Sequence, residues 1–241
     1  MLNVQTIYPA FMGEVNKFGI GAPCVFVRLS KCPLRCYLKT KGILCDTPEA
    51  LEGKSGHPMD EWDILESVDS YGYNLICLTG GEPLLQDVSE FLRIATLKGY
   101  HVAIETSGCV DILPYRHFRN VSFIVDYKLP STGENLRMKY NNYHLLNEDD
   151  FVKVVVDDED DLTSLKEFAS NYLKYSKTNL AVGVFWGSAI TYQALMQYMH
   201  TDEVLSSLGI KVYLNMQTHK MAVMYDKYKE EATKLVVPRE L

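Results

Sequence analysis

The segment Asn74-Leu-Ile-Cys-Leu-Thr-Gly-Gly-Glu-Pro-Leu84 joins a short apolar run to a polar turn. The run from Leu75 to Leu78 predicts a buried strand, and the turn follows at its C-terminal end. A helix is predicted before it, over Asp60 to Ser70, where apolar residues recur at helical spacing. Another is predicted after it, over Val88 to Lys98, with Gly99 as its C-cap. The segment therefore predicts strand–helix alternation with a polar site where the strand ends.

The same alternation continues along the chain. Further strands are predicted at Val25 to Leu29, His101 to Ile104, Phe123 to Asp126, Phe151 to Val156, Leu180 to Phe185 and Val212 to Met216. Further helices are predicted from the acidic run at Asp157 to about Tyr175, and over Ala189 to Met199. Alternation of this kind indicates a parallel sheet. We expect an α/β fold in which about six parallel strands form a partial, open TIM-like barrel, because six strands are too few to close an eight-stranded one.

Composition limits the class of protein. The chain has 241 residues and is 47% hydrophobic, which fits one domain spanning residues 1–241. Its formal charge of -7 disfavours a general nucleic-acid-binding surface, although a local basic pocket could still hold a small anion. The chain has no apolar run long enough for a membrane span and no signal-peptide pattern at its start, so we expect a cytoplasmic protein.

Three of the six cysteines are clustered, in Lys31-Cys-Pro-Leu-Arg-Cys36 and at Cys45. Three thiolates can hold three irons of a [4Fe–4S] cube and leave the fourth iron free to chelate S-adenosylmethionine. Zinc is the alternative, but it requires a fourth ligand, and none follows at a matching spacing. Cys24 and Cys77 lie in apolar runs, which predicts buried thiols. Cys109 follows a Ser-Gly turn, and we expect it to be structural.

Polar motifs follow several predicted strands, at the edge where ligands bind in barrel-like α/β folds. They are Thr79-Gly-Gly-Glu82, Glu105-Thr-Ser-Gly108, Asp126-Tyr-Lys128 and Gln217-Thr-His219. Glycines in the first motif let backbone carbonyls approach a ligand's ammonium group, and its glutamate adds charge or orients the turn. Arg28 lies on an otherwise apolar strand. Because an unpaired buried cation is costly, Arg28 must pair with an internal acid or bind a ligand anion.

The cysteine loop and Thr79-Gly-Gly-Glu-Pro83 resemble the radical S-adenosylmethionine superfamily. Further segments, in order along nearly the whole chain, resemble the 7-carboxy-7-deazaguanine synthases of queuosine biosynthesis: Ile7-Tyr-Pro-Ala-Phe-Met-Gly-Glu14, Phe26-Val-Arg-Leu29, Cys45-Asp-Thr47, Ile104-Glu-Thr-Ser-Gly108, Lys128-Leu-Pro-Ser-Thr-Gly133 and Met216-Gln-Thr-His-Lys220. The chain departs from the superfamily in its lengthened cluster loop, residues 32–45, which has eight residues between Cys36 and Cys45 where two are usual.

The resemblance implies an enzyme that rearranges 6-carboxy-5,6,7,8-tetrahydropterin to 7-carboxy-7-deazaguanine with loss of ammonia, using a [4Fe–4S] cluster, S-adenosylmethionine and Mg²⁺. It implies cluster ligation by Cys32, Cys36 and Cys45. It implies S-adenosylmethionine binding by Asp46, Gly80, Gly81, Glu82, Asp126 and Lys128. It implies substrate binding by Phe11, Met12, Gly13, Glu14, Arg28 and Thr79. It implies Mg²⁺ binding by Thr47, with Glu105, Thr106 and His219 as further candidates.

Alternatives remain for several of these residues. Glu14 is equally a loop acid, Thr47 a helix N-cap, and His219 a structural hydrogen-bonding histidine. The acidic run Asp157 to Asp161 could be a metal site, but it is more typical of a helix start. In the Asp126-Tyr-Lys128 segment, the family typically has Ser-Pro-Lys, so the lysine alone is retained.

The resemblance also implies partners. We expect an electron donor such as flavodoxin, a homodimer, and no direct contact with nucleic acid or membrane. The nearest alternative enzyme is a glycyl-radical-enzyme activase, which would need a surface for a large protein partner. A non-catalytic scaffold that keeps the fold, with a metal as a staple, is the alternative from another class.

Overall fold

The computed structural model describes residues 1–38, 42–45, 47–52, 56–185, 187–218 and 220–222. In these residues the strands are β1 Leu2–Phe11, β2 Pro23–Leu29, β3 Tyr37–Leu38, β4 Ile43–Leu44, β5 His57–Met59, β6 Leu75–Gly80, β7 His101–Thr106, β8 Val121–Asp126, β9 Phe151–Val156, β10 Asn179–Val184 and β11 Val212–Leu214. The helices are α1 Glu61–Asp69, α2 Ser89–Leu97, α3 Asn141–His144, α4 Glu159–Phe168, α5 Tyr192–Thr201 and α6 Glu203–Ser207. Within these ranges, no helix combines the length and the apolarity that crossing a membrane requires.

Nine of the described strands form one sheet, in the order β11-β10-β9-β8-β7-β6-β2-β1-β5. From β2 to β11 along this order every pairing is parallel, which makes a run of seven parallel strands. Each predicted strand lies in this run, so the α/β prediction is confirmed, with seven parallel strands instead of about six. β1 and β5 extend the sheet antiparallel beyond β2.

Alternation along the parallel strands gives the sheet two different faces. On the outer face, residues such as Val27, Leu78 and Ile104 join the main core with the helices. On the inner face a smaller core forms, whose members are Met12, Cys24, Leu75, Cys77, Ala103, Ile124, Phe151 and Ala181. The prediction that Cys24 and Cys77 are buried thiols is therefore confirmed. Val15, Phe18 and Ala22 of the loop after β1 pack against this inner core.

Helix starts follow the side chains available to cap them. The Asp60 carboxylate accepts from the Trp62 amide at the start of α1, and that of Asp158 accepts from the Asp161 amide at the start of α4. The acidic run after β9 therefore begins a helix, as expected. α4 continues as a π-helical turn over Ala169–Leu173. The prediction that the next helix starts at Ala189 was wrong, because Thr191 caps α5 through the Ala194 amide and the helix begins at Tyr192.

Candidate active site

A cavity of about 440 Å³ lies at the carboxyl edge of the parallel strands. Its wall includes inner-face residues near the strand ends: Arg28 on β2, Thr79 on β6, Glu105 on β7, Asp126 on β8 and Lys153 on β9. These positions alternate with the apolar residues of the outer face, so the pleat of each strand aims its polar side chain at the cavity. The four polar strand-end motifs of the sequence all contribute residues to this wall.

All three clustered cysteines lie on the cavity wall. The Cys45 amide donates to the Cys36 carbonyl at 2.8 Å, which closes the cysteine loop. Burial raises the pKa of the Cys32 thiol to about 12, so without a metal this thiol carries its proton. Within the described ranges no three cysteine, histidine or acidic side chains converge on a point that one metal ion could occupy. Each cysteine that ligates a cube binds a different iron, so a cube needs a wider arrangement.

The Gly-Gly turn after β6 packs closely against the segment that leads into Cys32. Gly81 donates its amide to the Leu29 carbonyl at 3.0 Å, and Glu82 donates to the Lys31 carbonyl at 2.9 Å. A Cβ on Gly81 would lie 2.5 Å from the Lys31 oxygen, and a Cβ on Gly80 would overlap the Leu29 backbone. Gly80 also has a φ of +145°. Glycine is therefore required here by backbone packing, whatever ligand the turn meets.

Glu82 is fully buried and is not among the residues that line the cavity. Its carboxylate accepts from the amides of Leu84 at 3.0 Å and Ser107 at 2.7 Å, and from the hydroxyls of Thr106 at 2.8 Å and Ser107. Burial raises the pKa of Glu82, against the effect of these hydrogen bonds. The sequence left two roles open for Glu82, adding charge to the site or orienting the turn. Its contacts are those of a carboxylate that orients the turn.

Arg28 has no carboxylate within ion-pair distance among the described residues. Its Nη2 donates to the Tyr8 hydroxyl at 3.2 Å, and the Tyr8 ring stacks on Phe26. Burial works against its charge, but the hydrogen bond with Tyr8 raises the pKa of Arg28. The guanidinium thus lies on the cavity wall, and within the described ranges Tyr8 is the one side chain that accepts a hydrogen bond from it.

Lys153 is a second cation on the inner face, and it was not among the predicted site residues. Its ammonium lies 3.1 Å from Glu14 Oε2 and 3.3 Å from Asp126 Oδ1. Burial opposes the charge of Lys153, but Asp126, Glu14 and Glu105 together raise its pKa well above the ordinary value. Lys128 pairs with the other oxygen of Asp126 at 2.5 Å. The sequence pattern that identified Arg28, a cation in an otherwise apolar strand, also applies to Lys153 and could have identified it.

Glu14 is held by three donors. The Lys153 ammonium lies beside Oε2, which also accepts from the side-chain amide of Asn215 at 3.0 Å. Oε1 accepts from the side-chain amide of Gln217 at 2.8 Å. Burial alone would raise the pKa of Glu14, but these partners outweigh it and lower the pKa to about 2. Since each carboxylate oxygen has two acceptor positions, the described residues fill only one of the two on Oε1. Two parallel hydrogen bonds to a ligand would require one donor to turn away.

Of the remaining predicted site residues, some lie on the cavity wall and two are outside the described residues. Phe11, Gly13, Thr47 and Thr106 line the cavity, and Thr47, at the N-cap of a 3₁₀ turn, makes no side-chain cap hydrogen bond. The Thr79 hydroxyl donates to Glu105 at 3.2 Å. Asp46 and His219 lie outside the described residues.

Met12 departs from the prediction because the structure places it away from the cavity wall. It is buried in the inner core, where its amide donates to the Ala22 carbonyl and its carbonyl accepts from the Gly21 amide. Its two backbone groups are therefore already engaged within the loop after β1. A carbonyl can accept a second hydrogen bond, but a ligand contact through the Met12 amide would require that loop to rearrange.

Comparison with known proteins gives relatives over most of the chain. A 7-carboxy-7-deazaguanine synthase of Clostridium acetobutylicum is 33% identical over 214 residues, 86% of this chain and 91% of that protein. One from Leptospira interrogans is 31% identical, over 90% of this chain and 94% of that protein. The crystal structure of QueE from Escherichia coli matches with a TM-score of 0.67 at 19% identity, covering 90% of this chain and 93% of that one. No family model matches the chain.

The parallel sheet and the polar cavity at its carboxyl edge define the class, an α/β protein that binds a ligand at its strand ends. The relatives then identify the family. The chain belongs to the 7-carboxy-7-deazaguanine synthase family, and it is an enzyme.

Proposed function

We propose that the protein converts 6-carboxy-5,6,7,8-tetrahydropterin to 7-carboxy-7-deazaguanine, with contraction of the ring and loss of ammonia. The observation that carries the proposal is the joint presence, on one cavity wall, of three clustered cysteines and of Arg28 without a carboxylate partner in the described residues. The thiols suit an iron–sulfur cluster, and the guanidinium suits the substrate's carboxylate. The family membership of the chain supports the same reaction.

The donor set fits the cofactors that the family resemblance implies. Cys32, Cys36 and Cys45 would hold the cluster as thiolates, so binding would displace the proton that burial keeps on Cys32. Gly80, Gly81, Asp126 and Lys128 line the cavity where S-adenosylmethionine would bind, and Asp46 is proposed from the resemblance alone. When bound, the reduced cluster and S-adenosylmethionine supply the radical that starts the rearrangement.

The protein's own residues would position the substrate. Arg28 would receive the carboxylate, with Thr47 offering a hydroxyl oxygen to the Mg²⁺ that shares it. Glu14 would accept a hydrogen bond from the pterin's amino edge at the second acceptor position of Oε1, while Phe11 and Gly13 line the wall beside it. Thr79, Glu105 and Thr106 would complete the wall between the two ligands.

The fold-level proposal is that the sheet is a partial, open barrel. Two features support it: the small inner core on one face, and the contacts that join the loop after β1 to the residues after β11. A flavodoxin-like electron donor, a homodimer and a cytoplasmic location are also proposed, and these three rest on the family resemblance.

The test is anaerobic reconstitution with iron and sulfide, then incubation with dithionite, Mg²⁺, S-adenosylmethionine and the pterin, followed by mass spectrometry. We expect 7-carboxy-7-deazaguanine from the wild type and none from Cys36→Ser. Cys109→Ala is the matched control and should keep the activity, since Cys109 is half-buried and outside the cavity wall. Formation of 5′-deoxyadenosine without the product would reject the substrate. A loaded cluster with neither compound would favour the non-catalytic scaffold.

A further inference from the structure

Lys153 lies between two parts of the cavity that the proposed function assigns to different ligands. On one side it holds Glu14, which the resemblance assigns to the pterin. On the other side it holds Asp126, which is paired in turn with Lys128. Three ion pairs link the four groups in a chain of alternating charge, Glu14–Lys153–Asp126–Lys128, with separations of 3.1, 3.3 and 2.5 Å. In the central pair the contact is electrostatic alone, because Asp126 Oδ1 accepts no hydrogen bond from the described residues. Cys36, a proposed cluster ligand, is close enough to Lys128 to interact with it electrostatically.

The strand register places this chain across the inner face of the sheet. Asp126 and Lys153 are direct neighbours on the parallel strands β8 and β9. Glu14 reaches Lys153 from the loop after β1, on the far side of the sheet order. All four side chains are largely shielded from water, with Lys153, Glu14 and Asp126 between 13% and 16% exposed and Lys128 at 25%. Shielding of this degree keeps the attraction between charges strong.

We propose that Lys153 is a positioning residue that couples binding of the pterin to binding of S-adenosylmethionine. This inference rests on the proposed function. A ligand that engages Glu14 or Asp126 fixes that carboxylate, and Lys153, which bridges both, is fixed with it. The second ligand then meets a partner carboxylate that is already oriented, so its ordering cost is lower. Linkage requires that the effect be reciprocal.

The alternative is that Lys153 only neutralises buried acids. Glu105 is a third carboxylate near it, and its negative charge contributes to the raised pKa of Lys153. Removal of a purely neutralising lysine would change the affinity for each ligand, but it would leave unchanged the factor by which the pterin alters the affinity for S-adenosylmethionine. The ratio of S-adenosylmethionine affinities with and without the pterin therefore separates coupling from neutralisation.

The experiment measures S-adenosylmethionine binding by equilibrium dialysis on anaerobic, cluster-loaded protein without reductant, so that no turnover occurs. We expect saturating pterin to tighten wild-type binding by about 10-fold, within the usual range of coupling. In Lys153→Met the ratio should fall below about 2-fold, a loss of most of that coupling. Lys98→Met, which breaks an exposed ion pair remote from the cavity, is the matched control and should keep the wild-type ratio.

Asp126→Asn provides a second route if Lys153→Met loads its cluster poorly, because it breaks the same link and leaves Lys153 in place. It should also lower the ratio, and the double variant should lower it no further than either single one. An unchanged ratio in both single variants, or no coupling in the wild type, overturns the inference. Product formation by the same wild-type preparation separates the two proposals: without product the proposed function fails, and with product but unaltered coupling only the role of Lys153 fails.

Discussion

Arg28 and Lys153 occupy equivalent positions, each a cation on the inner face of an apolar strand, but their surroundings differ. Lys153 has two carboxylates at 3.1 and 3.3 Å. Arg28 has the Tyr8 hydroxyl and, among the described residues, no carboxylate in ion-pair range. Glu49 and Glu105 attract the Arg28 charge, but neither lies within ion-pair distance. A charge kept from bulk water with no counter-ion in contact costs free energy that a bound anion would recover. The difference supports the proposed anion-binding role of Arg28 and the proposed bridging role of Lys153.

Replacing Arg28 should therefore weaken binding of the carboxylate substrate selectively. A hydrogen bond to a charged group contributes about 1.5–3 kcal/mol, so Arg28→Met should raise KM for the pterin about 10- to 100-fold. S-adenosylmethionine binding should stay near the wild-type value, and Arg28→Lys should lie between the two because it keeps the charge without the planar fork. Steady-state kinetics and dialysis measure these quantities. Arg93→Met, which removes an exposed ion pair, is the control and should leave both quantities at the wild-type values. Equal losses of affinity for the pterin and for S-adenosylmethionine in Arg28→Met would contradict the proposed role of Arg28.

The turn after β6 is the element that fastens the cysteine loop to the sheet. Gly81 and Glu82 donate to the carbonyls of Leu29 and Lys31, immediately before Cys32. The Glu82 carboxylate, buried behind the turn, ties it to the residues after β7 through Ser107. A change in this turn thus reaches both the fold and the position of the first cysteine.

Gly80→Ala should destabilise the protein and impair cluster loading together. The new methyl group would overlap the Leu29 backbone at a φ of +145°, so both strain and steric overlap apply. We expect the free energy of unfolding, measured in urea, to be about 3 kcal/mol lower than that of the wild type. The iron content per chain after reconstitution should also be lower than in the wild type. Gly72→Ala is the matched control, because Gly72 has a positive φ but open space around it, and should cost about 1 kcal/mol with full iron content. Normal iron content in a folded Gly80→Ala variant would contradict this account of the turn.

The elements that sequence patterns predicted are those whose residues carry a strong local signal. The parallel strands are apolar runs, and helix α1 has both periodicity and an Asp60 cap. β1 was missed because Leu2–Phe11 mixes buried and half-exposed positions next to the edge strand β5. Each of the seven parallel strands was predicted individually, the last as Val212 to Met216 where β11 is Val212–Leu214, so only the summed count of about six was low.

Within the site, local chemistry was predictable and long-range partners were not. Arg28 was identifiable as a cation in an apolar strand, and the clustered cysteines by their spacing. The partners of Glu82 were not identifiable, because Thr106 and Ser107 reach it only through the pairing of β6 with β7. Glu14 depends on Asn215 and Gln217, about two hundred residues later. Sequence spacing holds no information about such contacts until the order of the strands is known.

At the scale of the whole molecule, these late contacts join the beginning of the chain to its end. Asn215 accepts from the Val15 amide at 2.9 Å and donates to Glu14, while Thr218 donates its amide and its hydroxyl to the Gly13 carbonyl. The loop after β1 and the residues after β11 therefore close over the inner face of the sheet. Because Glu14 is the charged member of this junction, its ionisation should contribute to global stability.

Glu14 should make stability depend on pH in a defined window. Its folded-state pKa is lowered from 4.5 to about 2, so the ionised form favours the folded state above pH 4.5 and this contribution is lost as the pH falls towards 2. At 1.36 kcal/mol per pKa unit the full contribution is about 3 kcal/mol, and about 2 kcal/mol of it should be lost between pH 6 and pH 3. The measurement is the difference in free energy of unfolding between the wild type and Glu14→Gln across this range.

That difference isolates Glu14 from acids that act in the opposite sense. Burial raises the pKa values of Glu82, Asp150 and Asp161, so their protonation favours the folded state as the pH falls, and it does so in both proteins. Burial also raises the pKa of Glu105, but the charge of Glu14 contributes to that rise, so this part of the effect belongs to the difference. Glu66→Gln, at an exposed glutamate of α1, is the matched control and should track the wild type closely. A difference between wild type and Glu14→Gln that stays constant from pH 6 to pH 3 would show that Lys153, Asn215 and Gln217 do not hold Glu14 ionised. The junction between the two ends of the chain would then depend on its neutral hydrogen bonds alone.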